Sequence, residues 1–272
     1  MKNSLSKKLV DKPYILWSVL FIIAPLIMVV YYAFTDSTGA FSLDSIKAIP
    51  EYTSTILLSI LYGIAATAIC LVIAYPFAYF LSKLKFSTQS IMVLLVMLPM
   101  WMNFLIRTYS WMTILGDTGI INTVLNALGL GSLKLINTGG AVILGMVYNF
   151  LPYMILPIYS VLSKMDNSLI EAAQDLGSNR FQIIKKVIMP LSLPGVLSGI
   201  TMVFVPSLTT FVISDLLGGS KILLIGNVIE QEFKQGSNWH SGSGMSLVLM
   251  IFILISMALI AKYDKDGEET TF

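Results

Sequence analysis

Residues 171–190 read EAAQDLGSNRFQIIKKVIMP, a polar run that stands between two long apolar blocks. Just before it, Ser168 and Glu171 have the spacing of a capping box, in which a hydroxyl and a carboxylate satisfy free amides at a helix start. Gly177 can take the left-handed conformation that ends a helix, and Ser178 or Asn179 can cap the next one. The stretch therefore predicts a helix, a tight glycine turn and a second helix.

The first of these helices carries small and apolar residues on adjoining sides. Ile170, Ala173 and Gly177 share one side and would allow another surface to approach closely. A neighbouring apolar strip consists of Leu169, Ala172 and Leu176. A helix that rests on lipid headgroups usually carries Lys or Arg on its polar face, whereas this one carries Glu171 and Asp175. We therefore expect it to contact a soluble protein.

The rest of the chain is typical of a polytopic all-α membrane protein. Of its 272 residues 56% are hydrophobic and 12% charged, with a mean hydropathy of +0.82, whereas soluble domains carry about 25% charged residues. Apolar stretches of about 18 or more residues predict transmembrane helices, and the chain has several. We predict a cytoplasmic segment 1–13, a six-helix domain 14–262 with a cytoplasmic loop 164–192, and a cytoplasmic tail 263–272. The six predicted spans are 14–35, 56–82, 90–113, 139–163, 193–214 and 243–262.

The distribution of basic residues predicts the orientation. Most of the 17 Lys and Arg residues fall on the side that holds both termini and the opening stretch, which we therefore assign to the cytoplasm. These residues are Lys2, Lys7, Lys8, Lys12, Lys83, Lys85, Lys164, Arg180, Lys185, Lys186, Lys262 and Lys265. On the opposite side, the apolar spacing in residues 116–138 predicts a short amphipathic helix at the outer surface.

Several classes of function are disfavoured by what the sequence lacks. The net charge of +2 is too small to suggest nucleic-acid binding, and the single Cys70 and single His240 argue against a disulfide and a histidine-cluster metal site. No G-x-x-x-x-G-K-[ST] phosphate loop occurs, so we expect no ATP hydrolysis by this chain. The sequence shows no combination of a nucleophile and a general base that would suggest an enzyme. A secondary transporter would usually show more spans and an inverted repeat.

The opening stretch resembles the EAA motif of ATP-binding-cassette (ABC) importer permeases. The matching residues are Glu171, Ala172 and Ala173, then Gly177, then Val187-Ile188-Met189-Pro190, where Val187 and Met189 depart conservatively from the family pattern. The resemblance implies the type I (MetI-like) permease fold. It also implies that the motif helix docks on a separate ATPase subunit, which binds ATP and Mg, and that this chain holds no cofactor.

A second resemblance narrows the family. Residues 215–233 (DLLGGSKILLIGNVIEQEF), 107–112 (RTYSWM) and 151–160 (LPYMILPIYS) are similar to the permeases of spermidine/putrescine importers. This resemblance implies polyamine substrates and a location in the bacterial inner membrane. The partners that it implies are a sister permease, a dimer of ATPase subunits, an extracytoplasmic polyamine-binding protein and membrane lipid.

A polyamine path needs spaced carboxylates and aromatic faces for cation–π contact. The candidate residues are Asp215, Glu230, Glu232, Trp101, Trp111, Tyr148 and Tyr153. Both the acidic and the aromatic residues also have an explanation that involves no substrate path, because acids occur at solvated helix ends and Trp and Tyr form belts at membrane interfaces. Prolines in the fourth span are equally consistent with a path or with a kink that serves packing.

Two further features leave alternatives open. Arg107, in or near a span, needs a partner: Asp117 or Asp215 would make it structural or a gate, whereas an Arg in the path would suit an importer of anionic solutes. Gly195 and Gly199 form a G-x-x-x-G pair, which predicts close helix packing within the chain or against the sister permease.

Overall fold

The computed structural model describes residues 13–234 and 238–269, and this part of the chain is helical apart from its loops and one isolated β-bridge, Thr35–Phe41. The predicted N-terminal segment, except Pro13, and the last three residues of the predicted tail lie outside it. The helices of seven or more residues are α1 Pro13–Ala33, α2 Thr53–Ser82, α3 Phe86–Trp101, α4 Phe104–Leu115, α5 Ile120–Ala127, α6 Gly139–Ser163, α7 Asn167–Asp175, α8 Arg180–Thr209, α9 Val212–Gly218, α10 Ile225–Lys234 and α11 Trp239–Glu269.

Five helical segments are long and apolar enough to cross a membrane, and the number is six when the bent pair that begins with α3 counts as one span. This agrees with the predicted all-α, six-span fold. α6 has the bounds of the predicted fourth span, Gly139–Ser163. α11 begins four residues before the predicted sixth span and continues as one helix to Glu269.

The third predicted span is broken rather than continuous. α3 ends at Trp101, and the chain turns by 89° into the helical segment Phe104–Ala127. Met102 is extended, with ψ 147°, and Asn103 caps α4 by accepting hydrogen bonds from the amides of Leu105 (2.9 Å) and Ile106 (3.3 Å). Since Asn is a favoured cap residue and stands four residues after Pro99, the sequence carried a signal for this break.

The fifth predicted span also differs from the structure. α8 extends without interruption from the loop predicted to be cytoplasmic, at Arg180, to Thr209, and Thr210 is extended with ψ 135°. The Thr209 hydroxyl donates to the carbonyls of Val205 and Pro206 (3.3 and 3.4 Å), a local hydrogen bond that competes with the helix. Residues 212–218 then form the separate helix α9.

The chain divides into two compact units, Met1–Ser54 with Val228–Leu254, and Thr55–Asn227 with Ile255–Phe272. In the second unit α6 packs along α8, and α9 packs on α4 and α6. The α2 face in its core is a row of small side chains one turn apart, which lets the helix approach its neighbours closely. This row consists of Ala66, Cys70, Ala74 and Ala78.

In the first unit, aromatic residues fix the end of α1 against the start of α11. The rings of Tyr32 and His240 lie 5.4 Å apart, and His240 Nδ1 is 3.1 Å from the carbonyl oxygen of Tyr32. Trp239 lies 5.6 Å from Phe233 of α10, measured between ring centroids.

The amphipathic helix predicted in the loop 116–138 is confirmed as α5. Its buried Asn122 holds the loop by donating to the carbonyls of Gly116 (3.1 Å) and Leu133 (2.9 Å) and by accepting from the Leu133 amide (2.8 Å).

Candidate functional site

The first helix of the EAA segment, α7, has a different cap from the predicted one. Asp166 is its N-cap and accepts a hydrogen bond from the amide of Ser168 at 2.9 Å. The predicted box from Ser168 to Glu171 is therefore wrong, because Ser168 lies inside the helix that Asp166 begins. Hydrogen bonds from the backbone and then the side chain of Ser168 lower the pKa of the Asp166 carboxyl, so it is ionised at neutral pH.

The turn after α7 is a Schellman motif, and it confirms the role predicted for Gly177. Gly177 has φ +79°, its amide donates to the carbonyl of Gln174 (2.8 Å), and the Ser178 amide donates to that of Ala173 (3.0 Å). Asn179 then forms a capping box with Gln182, each side chain accepting from the other's amide at 2.9 Å. These reciprocal bonds fix the start of α8 directly after the glycine turn.

One side of α7 differs from the sequence expectation. Ile170 and Ala173, predicted to receive another surface, are partly buried against this chain's own core. The apolar strip points outward, with Leu169 46% and Leu176 87% exposed, and Phe181 at the start of α8 is 73% exposed. Exposed apolar side chains are typical of protein contacts, and we refer to Leu169, Leu176 and Phe181, for which a contact with a partner is proposed below, as the docking surface.

Behind this surface, α8 contains a π-helical turn over Ile184–Ile188, closed by a hydrogen bond from the Met189 amide to the Ile184 carbonyl. Pro190 follows directly. Because proline has no N–H and its ring clashes with the carbonyl four residues earlier, a wider turn relieves strain at this point. Ile183 and Ile188 are buried in the core, so the turn joins the docking surface to the membrane-spanning part of α8.

The aromatic path candidates are not gathered at one place. Trp111 of α4 and Tyr148 of α6 pack against each other, with ring centroids 5.3 Å apart, and Trp111 also lies against the core. Trp101 is 67% exposed at the end of α3, and Tyr153 is 39% exposed on α6. Trp101 and Tyr153 therefore remain open to a solute, whereas Trp111 and Tyr148 are partly occupied by their mutual packing.

Arg107 does not make the ion pair expected for it. Its side chain is 7% exposed, and its Nε and Nη1 atoms have no hydrogen-bond partner in the described part of the chain. The single salt bridge found among the described residues joins Lys234 to Glu230 and involves neither Asp117 nor Asp215. Asp215 is exposed on α9, a helix that packs on the Arg107 helix α4.

The two acidic path candidates in the first unit, Glu230 and Glu232, have partners of their own. Glu230 forms its ion pair with Lys234 one turn later on α10, which weakens it as a candidate for binding an ammonium group. Glu232 lies 3.5 Å from the Tyr52 hydroxyl. Within the residues that the structure describes, no three His, Cys, Asp or Glu side chains come together as a metal site would require.

A groove of about 500 Å³ lies between α6 and α8. Besides Tyr153, its lining includes Pro157, Ser160, Gly195, Ser198 and Met202. The two serines carry no sequence signal for this position, since apolar periodicity does not tell which faces of two helices border a shared groove.

Comparison with known proteins identifies the family. The model of binding-protein-dependent transport system inner membrane components matches residues 13–265. The spermidine/putrescine transport system permease protein PotB of Haemophilus influenzae is 39% identical over 259 residues, 92% of this chain and 91% of that protein. Its Escherichia coli counterpart is 38% identical over 245 residues, 86% of this chain and 89% of that protein.

A solved structure shares the fold. A chain of a bacterial ABC transporter involved in the import of the acidic polysaccharide alginate superposes with a TM-score of 0.79, covering 97% of this chain and 96% of that one at 16% identity. At this identity the likeness concerns the fold alone, and it agrees with the predicted importer-permease architecture. The chain is thus a transport component rather than an enzyme, and it belongs to the family of binding-protein-dependent transport system inner membrane components.

Proposed function

We propose that the chain is the transmembrane permease subunit of an ATP-driven importer of polyamines, with spermidine and putrescine as substrates. The assignment of the substrate rests on the 39% identity, over 92% of the chain, to a protein named as a spermidine/putrescine permease. The anionic alternative rested on Arg107 lining a path, and its 7% exposure speaks against that role.

In this proposal the docking surface couples the chain to its ATPase. Leu176 and Phe181 present apolar side chains that are 87% and 73% exposed, and Gly177 leaves the space beside the turn open, because a Cβ atom there would meet nothing within 4 Å. Glu171, Ala172 and Ala173 lie on the same short helix, and Pro190 follows the π turn. A push on α7 would reach α8 through the short turn at Gly177 and through the contact of α7 with the π turn.

The partners are a sister permease, a dimer of ATPase subunits that holds ATP and Mg, and an extracytoplasmic polyamine-binding protein. The loaded binding protein docks outside, ATP closes the ATPase dimer, and the coupling helices open the cavity outward. Hydrolysis returns the inward-facing state. Both termini and the loop 164–192 face the cytoplasm, as the excess of Lys and Arg on that side indicates.

Uptake of radiolabelled spermidine tests the proposal. Cells that lack their own polyamine uptake would express the whole importer with the wild-type chain, Gly177→Trp, Gly177→Asn or Asp215→Asn. We expect the wild type to transport spermidine and Gly177→Trp to abolish transport, because the indole fills the open space beside the docking surface.

Gly177→Asn is the matched control, since Asn tolerates a positive φ better than other residues. It should keep most of the transport, and Asp215→Asn then reports whether that carboxylate serves the path. If the assembled complex hydrolyses ATP but takes up no polyamine, the assignment of polyamines as substrates is refuted. Full transport by Gly177→Trp would overturn the coupling role.

A further inference from the structure

The groove between α6 and α8 contains hydroxyl groups without partners. Neither Ser160 nor Ser198 donates a side-chain hydrogen bond within the described part of the chain, although both lie in helices. By contrast, Thr201 and Ser207, also on α8, donate to the carbonyls four residues earlier, at 3.0 and 2.7 Å. The two groove hydroxyls therefore remain available to a ligand.

Two prolines add backbone acceptors at the same place. Pro157 has no N–H, so the carbonyl of Tyr153 loses its α-helical donor, and Pro206 does the same to the carbonyl of Met202. Tyr153 and Met202 both line the groove. Pro157 lines it as well, and the carbonyl of Tyr153 lies on the helix face beneath that proline ring. In a membrane such carbonyls need a neighbouring donor or a water-lined cavity.

The residues that line the groove favour a ligand that has a cationic hydrogen-bond donor and an apolar chain. Among the described residues that line it none is charged, so it offers acceptor oxygens, the exposed ring of Tyr153 and otherwise apolar walls. Carbonyl oxygens bind cations in membrane pores, and a Tyr ring attracts ammonium groups. The volume suits a small ligand, whose pockets span about 300–1,000 Å³. An anion would find no cationic partner here.

We propose that this groove is a transit site for alkylammonium groups, in which the Tyr153 and Met202 carbonyls and the Ser160 and Ser198 hydroxyls accept hydrogen bonds from the substrate while the walls contact its methylenes. The inference rests on the proposed polyamine function and assigns it a place in the chain. Without a carboxylate, binding stays weak, which suits a site that a solute must leave again.

Cysteine protection tests the site in the reconstituted complete importer. The only native cysteine, Cys70, is fully buried, so the unmodified chain supplies the background. Ser160→Cys and Ser198→Cys would be exposed to a thiosulfonate carrying a trimethylammonium group, with and without spermidine, and labelling of this chain measured by mass spectrometry. Thr123→Cys on α5, exposed and far along the chain from the groove, is the control.

We expect both groove cysteines to react and spermidine to slow their reaction, while Thr123→Cys reacts at an unchanged rate. Reaction without protection, in a complex that takes up spermidine, would overturn the transit site and leave the proposed function standing. No reaction in any nucleotide state would mean that lipid or the sister permease covers the groove, which also overturns it. Failure of the unmodified complex to take up spermidine would instead refute the proposed function.

Pro157→Ala provides a sharper second test, because alanine returns the N–H that Tyr153's carbonyl lacks. Combined with Ser198→Cys, it should raise the spermidine concentration needed for protection about tenfold, the order expected for one lost charge-assisted hydrogen bond. Pro152→Ala makes the same chemical change on the same helix at a buried residue outside the groove lining. An equal effect of both substitutions would show that the helix kink matters rather than the freed carbonyl, contradicting the proposal.

Discussion

The carbonyl oxygen of Pro157 lies so close to Gly195 that a Cβ atom at position 195 would be 2.8 Å from it, with the Cα of Ile158 at 3.1 Å. α6 and α8 are therefore in main-chain contact at this point. Gly199, one turn later, meets Met154 instead. The G-x-x-x-G pair thus packs within the chain, which decides between the two alternatives that the sequence left open.

Gly195→Ala should destabilise the chain much more than Gly199→Ala. At Gly195 the added methyl would meet backbone atoms that move only with their helix, a case of overpacking that costs about 1–3 kcal/mol. At Gly199 its nearest obstacle is the flexible Met154 side chain, at 2.6 Å from the sulfur atom, and alanine's better helix propensity offsets up to about 1 kcal/mol. Unfolding of the two variants in detergent measures the difference. Equal losses would mean that α6 and α8 separate easily.

Leu176→Gln should weaken attachment of the ATPase without changing the stability of the chain. Leu176 is 87% exposed, so its replacement should alter the free energy of unfolding by no more than about 0.5 kcal/mol, while the docking surface loses an apolar side chain. Co-purification of the ATPase with the complex measures the effect. Leu130→Gln is the matched control, since Leu130 is 69% exposed in the loop predicted to lie outside. Similar ATPase retention in both variants would remove Leu176 from the docking surface.

Asp166→Ala should loosen the start of α7, whereas Asp166→Asn should not, because the amide oxygen can still accept from Ser168. Hydrogen exchange of the first α7 amides in the assembled complex is the measurement. The pKa of Asp166 is lowered in the folded chain, so its contribution is present above the ordinary value of 3.8 and is lost only as the pH falls through the lower folded value. The difference between the variants should therefore stay constant from about pH 6 to 8; a change within that range would contradict the assignment.

Local features of the EAA segment could be predicted because nearest neighbours determine them. Gly177 and Asn179 end one helix and begin the next by bonds within five residues, and both roles are confirmed. The start of α7 was not predictable in the same way. Asp166 and Ser168 can both cap, and the choice of Asp166 accompanies the packing of Ile170 against the core, a tertiary contact.

The groove residues and the surroundings of Arg107 were harder to predict from the sequence. The grouping of Tyr153 with Ser160 and Ser198 depends on how α6 and α8 rotate against each other, which apolar periodicity in two uniformly apolar helices does not specify. The expectation that Arg107 pairs with an acid of this chain assumed that charge balance is reached within one subunit. The described structure brings no acid into a salt bridge with it.

Replacing Arg107 by Met should leave the isolated chain as stable or make it more stable. Arg107 is 7% exposed, and neither its Nε nor its Nη1 has a partner in the part of the chain described, so folding buries most of the side chain and leaves two of its donor atoms unpaired. Apolar replacement of buried charged groups is often neutral or stabilising by about 1–4 kcal/mol. Arg107→Lys keeps the charge and should show no gain. Unfolding of the purified chain in detergent compares the two, and a loss of more than about 2 kcal/mol in Arg107→Met would mean that the arginine has a partner within its own chain.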